Sequence, residues 1–595
     1  MKAPNTGGVI VLKNYIPDYP RPQLIRTDWE NLNGAWDFAF DDAAEGEKNG
    51  WQEAFQPQHT IEVPFTYETK RSGVGIEEPH SDVWYARTLA VKPHGGRVLL
   101  HFEGSDWHTR VFVNGRFAGE HRGGYARFSF DITDLVRTGE NRIAVHVSDS
   151  LSRSQPRGKQ RWIPENFACW YVQTTGIWKT VWLEYAPESR IASLKLTPQL
   201  AEKAVRVEAA VEAAACGDLY VLATASFEGV TAGRALAKVT DGRADILLRV
   251  ANREISEWDV RAWTPEAPNL YDLEVQLLRG TEAVDTVLSY FGMREIRIQG
   301  NQVCLNGAVL YQRLILDQGY WRDSHLTPPS EAALLEDIEK VMALGYNGVR
   351  KHQKTEDERF LYWCDVKGLL VWSEFPATYV FDDDAVENVT REWTEIVRQN
   401  YNHPSIITWT PFNESWGIPD VASDKRQQRF TEAIYSLTKA IDPMRPVVCN
   451  DGWRHTVSDI ITLHDYEASG ETLYDYYTKN HAAVLENALP FSVNGQFYPF
   501  AEGYGYRGQP ILISEFGGIA FNNGESGWGY GDKVADKAAF IERFDAITSA
   551  VKRLDFCCGY CYTQVTDVQQ EINGLMDMER NYKIDPEVIR EINQR

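Results

Sequence analysis

The chain has 595 residues, 43% of them hydrophobic and 24% charged, a balance that excludes disordered, collagen-like and coiled-coil chains. At roughly 150 residues per domain this length predicts about four domains, each able to bury its own core. Eighty-four acidic against 61 basic residues leave a net charge of −23, which argues against non-specific binding to nucleic acid or anionic membrane. Aromatic residues reach 12%, with 19 Trp, as expected of all-β cores or of surfaces that stack on a ligand.

The N-terminus carries a four-residue apolar run, Val9 to Leu12, too short for a secretory core segment. No stretch is long and apolar enough to span a bilayer, so a cytoplasmic protein is expected. The eight cysteines (Cys169, Cys216, Cys304, Cys364, Cys449, Cys557, Cys558, Cys561) then read as reduced, mostly buried thiols. Cys557, Cys558 and Cys561 are clustered but lack spaced histidine partners, so no metal site is expected there.

Residues 1–187 are rich in short alternating strands, and Asn114-Gly115 between TRVFV and RFAGE is a two-residue hairpin signal. They predict a jelly-roll β-sandwich ending in the strand WKTVWLEY, with Pro187 at the boundary. Residues 188–294 hold about seven further strands at sandwich spacing and predict an immunoglobulin-like β-sandwich, without the Cys…Trp…Cys pattern of antibody domains.

From 295 to 595 strands alternate with helices. Eight apolar strands are predicted, Val309–Leu316, 347–351, Leu369–Glu374, 406–413, 447–450, Ile460–His464, 511–515 and 556–563. Helices are predicted over 331–344, 357–366, 385–400, 424–441, 471–488, 533–554 and 586–593, and the fifth crossover is too short to hold one. This is the pattern of a (β/α)8 TIM barrel, whose active site lies where the strands end.

Two strand ends carry a carboxylate inside an apolar setting. Strand four runs into Trp409-Thr-Pro-Phe-Asn413-Glu414-Ser-Trp416, and strand seven into Ser514-Glu515-Phe516-Gly517-Gly518. A glutamate so placed is expensive unless paired or used. Two of them facing one site suit cleavage of a glycosidic bond, with one carboxyl donating a proton and the other attacking. The aromatic surroundings of Glu414 predict a raised pKa and the acid/base role; Ser514 and the glycines beside Glu515 predict an ionised nucleophile.

With these residues in view, the chain resembles glycoside hydrolase family 2, the β-galactosidase and β-glucuronidase family, over essentially its whole length. The stretches FVNGRFAGEHRGGYARFSFDIT, GIWKTVWLEY and YFGMREI resemble the family's sugar-binding domain, its end and the entry to the barrel. NHPSIITWTPFNESWG and PILISEFGG resemble the acid/base and nucleophile signatures. The resemblance implies that Asn413 holds the sugar 2-hydroxyl and that Tyr466 donates to Glu515. It implies substrate-binding roles for His464, Arg350, His352, Glu374 and Asp317, and a buried anchor in Arg313. Arg350 and His352 stand one residue closer than in many members. At strand eight the usual tryptophan is replaced by GYCYTQVTD, leaving Tyr562 or Gln564 in its place.

Glucuronidases carry an Asn-x-Lys motif that grips the uronate carboxylate. Glu571-Ile572-Asn573 stands there in this chain, so an ordinary glucuronidase is not expected. Arg322, Arg350, Lys351 and Lys354 are candidates to meet a carboxylate from another direction. Trp528 and Tyr530, after the nucleophile, are candidates to stack on the aglycone, and Asp382–Asp384 read as solvated surface. The implied activity is a retaining exo-β-glycosidase acting on a β-galactoside or a β-hexuronide such as a galacturonide or glucuronide. An endo-acting β-glycanase and an inert carbohydrate-binding protein on the same scaffold stay open. No cofactor is required, although some relatives use Mg²⁺ or Na⁺ near the site, and family habit implies a homo-oligomer.

Overall fold

A six-stranded and a four-stranded antiparallel sheet face each other at the N-terminal end of a computed structural model that describes residues 12–13, 15–214, 217–493, 495–522, 524 and 526–595. The Val9–Leu12 run, save Leu12, and Cys216 lie outside these residues. The six-stranded sheet is centred on Gly34–Phe40, Asp82–Val91 and Gly139–Ser148; the other holds Trp29–Asn31, Val181–Ala186, Arg97–Phe102 and Phe128–Asp131. Their inner residues, among them Trp36, Phe38, Tyr85, Leu100, Phe102, Val145 and Leu183, form one apolar core. Asn114 and Gly115 both have positive φ (51° and 77°) and connect His108–Val113 to Arg116–Arg122, the backbone a two-residue hairpin requires.

Seven strands from Arg190 to Phe291 form a second sandwich of three and four strands. Alternate residues point inward, as in Arg243–Arg249, where Ala244, Ile246 and Leu248 are buried and their neighbours exposed.

Seven parallel strands make the curved sheet of the third part. They are Gln312–Asp317, Gly348–Lys351, Leu370–Glu374, Ile406–Thr410, Ile461–His464, Ile511–Gly517 and Cys557–Thr563. The fifth predicted strand is not a regular strand. Residues 446–451 run alongside the fourth, with Val448 N–H donating to Trp409 O at 2.9 Å and Asp451 N–H to Phe412 O at 2.9 Å. The first strand starts at Gln312 because Ala308–Val309 belongs to a small three-stranded meander. That meander packs Ile296, Val303 and Leu305 on the floor of the sheet beside Leu314, Trp372, Ile407 and Leu512.

Helices follow the strands, each begun by a capping side chain. Ser330, Asp357, Asp424 and Asp536 accept from the first-turn amides of Glu331–Ala343, Glu358–Lys367, Lys425–Ile441 and Lys537–Lys552. Asp382, expected as plain surface, caps Asp383–Gln399 by accepting from Ala385 N–H. Among the described residues no helix is long and apolar enough to cross a membrane.

The sandwiches are tied to each other and to the barrel through buried charge. Arg26 donates to both oxygens of Asp285 (3.0 and 2.7 Å) and to Glu184 (2.8 Å). Buried Glu392 accepts from the Tyr125 amide at 2.6 Å. A segment of the first sandwich, 153–175, reaches the C-terminal mouth of the barrel. Arg157 N–H donates to Ala377 O, Gln570 Nε2 to Trp170 O and Trp528 Nε1 to Ala168 O, each at 2.9 Å.

Candidate active site

Glu414 and Glu515 meet at the mouth of the barrel. One oxygen of each, together with a ring nitrogen of His464, lie within 4.8 Å of one another. Glu414 stands just past the fourth strand with φ of 51°, followed by Ser415 at 61°. Two consecutive non-glycine residues in the left-handed region are strained. Neighbouring chain holds them there: Glu414 N–H donates to Asp451 O and Ser415 N–H to Asn450 Oδ1, both at 2.9 Å. Glu515 lies within Ile511–Gly517, where the strand is buried throughout.

His464 sits between the carboxylates. Its Nδ1 is 2.9 Å from Glu414 and 3.5 Å from Glu515, and its Nε2 is 3.0 Å from Asp451. Burial lowers the imidazole pKa, but Glu515, Asp451 and Glu414 outweigh that and raise it to about 10. His464 is therefore a shared cation and not simply a donor to a sugar hydroxyl. Burial alone would raise Glu414, as its aromatic setting suggested. The hydrogen bond and charge of His464 reverse this and hold the carboxyl below its ordinary value. Burial likewise pushes Glu515 up, and His464 and Arg350 bring it below the usual carboxylate range. The second carboxylate thus matches its expectation and the first does not.

Arg350, fully buried, is the hub of the floor. Its Nε donates to Glu374 (3.0 Å), Nη1 to Asp451 (3.0 Å) and Ser514 O (2.8 Å), and Nη2 to Glu515 (2.7 Å) and Asn413 Oδ1 (3.0 Å). Its donors thus all point to protein, and the expected contact with substrate is corrected to one with the carboxylates themselves. His352 Nδ1 lies 2.9 Å from Arg350 and 3.1 Å from Glu374. Burial, with the cations Lys159 and Arg350, pushes its pKa well down, so it is neutral. Glu374 is raised by burial, against Arg350, to about 7.

Asn413 gives its oxygen to Arg350, while its buried Nδ2 has no partner. A buried amide donor left open is costly, and it lies beside Glu414. Tyr466 donates its hydroxyl to Glu515, lies 3.1 Å from Thr563 Oγ1 and stacks on Tyr530, with ring centroids 3.4 Å apart.

Several expected residues are turned to other tasks. Asp317 takes Lys351 at 2.8 Å and the Gly319 amide at 2.8 Å, so its oxygens are occupied. Arg313 binds Gly345 O and its backbone pairs with Asn347, away from the carboxylates. Tyr562 is buried behind the strand end against Phe516 and Phe544. A Cβ on Gly517 would come within 2.2 Å of its ring. Gln564 is buried too, bonded to Gln318 and Asn573 at 2.7 Å each. Trp528 is half-buried and serves as a strut to the inserted segment of the first sandwich.

Three residues went unread in the sequence. Asp451 bonds both Arg350 and His464; it ends the fifth barrel segment, and the rule that singled out Glu374 would have found it. Trp170 and Lys159 come from the first sandwich, and no local signal marks them.

Among the described residues, Glu414, His464 and Glu515 are the group with spacing for a metal ion. Both nitrogens of His464 face carboxylates and its pKa is raised, so the ring carries protons where a metal would need a lone pair. These residues do not fit a cation.

Paired carboxylates at the strand ends of a barrel preceded by two sandwiches define a glycosidase-like architecture. Residues 29–187 match the model of the glycosyl hydrolases family 2 sugar binding domain, 189–294 a further glycosyl hydrolases family 2 model, and 296–583 the family's TIM barrel domain. The chain belongs to glycosyl hydrolase family 2. It is 30% identical over 382 residues to a putative β-glucuronidase of Formosa agariphila, covering 61% of this chain and 44% of that protein. To a β-galactosidase of Thermoanaerobacter pseudethanolicus it is 28% identical over 496 residues, or 79% of this chain and 61% of that one. The chain thus spans less than two thirds of both relatives. In fold it is similar to a β-glucuronidase from Ruminococcus gnavus in complex with an N1-substituted uronic isofagomine (TM-score 0.78, 17% identity, 96% and 99% of the two chains). It is also similar to a family 2 β-galacturonidase from Eisenbergiella tayi bound to galacturonate (TM-score 0.75, 20% identity, 97% and 99%).

Proposed function

We propose that the protein is a retaining exo-β-glycosidase that releases a terminal β-linked sugar, a galactoside or a hexuronide. The observation that carries this reading is the approach of Glu414 and Glu515 to within 4.8 Å around His464. Carboxyls about 5–5.5 Å apart suit a double displacement, whereas an inverting pair needs about 6.5–9.5 Å for a water between them. Glu515 is ionised and held by Arg350 and Tyr466, a nucleophile aimed and kept unprotonated.

Glu414 is the acid/base, with its proton kept on the Glu414–His464 pair. The pair's shared proton passes from His464 Nδ1 through Glu414 to the leaving oxygen as C1 bonds to Glu515 and its bond to that oxygen breaks, which leaves Glu414 ionised and His464 neutral. Water then gives a proton to Glu414, attacks C1 and frees Glu515, so the product keeps the β configuration. Asn413 Nδ2 takes the 2-hydroxyl, a bond that strengthens in the transition state. The test is a panel of 4-nitrophenyl β-glycosides including galactoside, glucuronide and galacturonide. Release of 4-nitrophenol from at least one, abolished in Glu515→Gln, is the expected result. A native protein inert on every member would leave the binding-protein reading in its place.

A further inference from the structure

The cations expected at the mouth of the barrel are all engaged. Arg322 pairs with Glu579, Lys351 with Asp317 and Glu356, and Lys354 with Glu356 and the carbonyl oxygens of Gly319 and Leu326. Arg350 is surrounded by the carboxylates of the floor. Lys159 differs. It is only 6% exposed, and its ammonium reaches one acceptor, Cys169 Sγ at 3.3 Å. An ammonium has three donors and a thiol is a weak acceptor. Among the described residues no carboxylate forms an ion pair with it. Burial works against its charge, but Cys169, Tyr379, Glu414 and Glu571 outweigh that and keep it protonated, so the buried ammonium has open donors that an arriving anion would fill.

The chain places Lys159 over the catalytic opening. The Arg157 and Gly158 amides hang from Ala377 O, three residues past the third strand. Lys159 O accepts from Tyr171 N–H at 2.8 Å, and the Tyr171 hydroxyl donates to Glu571. Trp170 packs on Trp416, two residues beyond Glu414, with centroids 5.2 Å apart. Lys159 is therefore framed by the strand-four end and the strand-eight loop. Glu571 agrees with this placement. Burial raises its carboxyl and Lys159 is the largest influence opposing it; the same lysine also helps to hold Glu414 down. Glu571 does not supply the missing anion. Its oxygens are taken up by Tyr171 and Asn573, and neither forms an ion pair with the Lys159 ammonium.

We propose that Lys159 is the specificity-determining cation of this site, its ammonium taking the C6 carboxylate of a β-linked hexuronic acid, so that the acid group is recognised by the first sandwich and not by the barrel. The inference rests on the glycosidase reading above and narrows its substrate class to uronides. A neutral sugar would leave the ammonium buried without its anion, which sets the discrimination.

The experiment compares native protein, Lys159→Met and Lys159→Arg. The readout is the ratio of kcat/KM on 4-nitrophenyl β-galacturonide and β-glucuronide to that on the β-galactoside. Native protein should favour a uronide, Lys159→Met should lower that ratio by about 100-fold or more, and Lys159→Arg should recover part of it. Calorimetry of galacturonate and galactose on Glu515→Gln, with and without Lys159→Met, reads the same preference without turnover. A native preference for the galactoside overturns the assignment, as does a ratio that Lys159→Met moves by less than threefold. If no glycoside is cleaved but galacturonate binding depends on Lys159, the glycosidase reading fails and the Lys159 site stands.

Discussion

Glu414 and Glu515 look alike in the sequence, and their surroundings separate the tasks proposed for them. Arg350 and Tyr466 address Glu515, while His464 addresses Glu414 more closely. Replacing Glu414 by Gln should lower kcat/KM by about 10²–10⁴ on an alkyl glycoside, whose leaving group needs the proton. The loss should be much smaller for a 4-nitrophenyl glycoside, and steady-state rates on both substrates check this. The pH profile carries the signature of His464. Below the acid limb Glu515 takes up a proton and stops being a nucleophile; that limb lies low because its pKa is depressed. Above the basic limb the Glu414–His464 pair has lost its shared proton, and with His464 raised to about 10 this limb lies high. Such limbs belong to the coupled groups together. In His464→Gln only the carboxyl of Glu414 can carry that proton, so the basic limb of kcat/KM should move to lower pH. A limb that stays in place would remove His464 from the proton path. The two glutamates were legible because each ends an apolar strand with a motif. The sign of the Glu414 shift was not, because His464 lies 50 residues away and only the fold brings it to 2.9 Å.

Strand ends and inserted loops decide what the barrel presents. Most barrel strands and helices follow from apolar runs and capping residues. The exceptions have physical causes. Residues 446–451 pair with the fourth strand but meet the residues beyond through a mixture of backbone and side-chain bonds, as in Asp459 N–H to Val447 O at 2.8 Å and Cys449 N–H to Ser458 Oγ at 2.9 Å. Apolarity alone does not reveal that a run will lack a regular ladder on one side. The family resemblance puts Tyr562 or Gln564 where a tryptophan usually meets the sugar; on this fully buried strand Tyr562 lies behind Gly517. Gly517, with φ of 88°, is packed against that ring. Gly517→Ala therefore meets both backbone strain and overpacking, costing about 1–3 kcal/mol or more, two residues from Glu515. Urea unfolding should show the lower stability and steady-state rates a reduced kcat. Native values for both would contradict this packing.

Across the whole molecule, the site is a joint product of the first sandwich and the barrel. The segment carrying Lys159, Trp170 and Tyr171 crosses to the barrel mouth, so domain placement is part of the chemistry. Composition indicated several domains and an acidic surface, but contacts such as Tyr171 with Glu571, 400 residues apart, leave no local trace in sequence. Buried charge fixes the arrangement: Arg26 joins Glu184 of the first sandwich to Asp285 of the second. Arg26→Ala leaves buried Asp285 without its cation, while Glu184 keeps Arg21, a loss of about 3–5 kcal/mol. Calorimetry should show the first thermal transition at lower temperature, and an unchanged transition would mean the sandwiches dock by other contacts. The reaction proposed for this assembly is a double displacement with retention. Proton NMR of the sugar first released from a cleaved 4-nitrophenyl β-glycoside tests it most directly. The double displacement by Glu515 and Glu414 predicts that the β-anomer appears first and then mutarotates; first appearance of the α-anomer would contradict it.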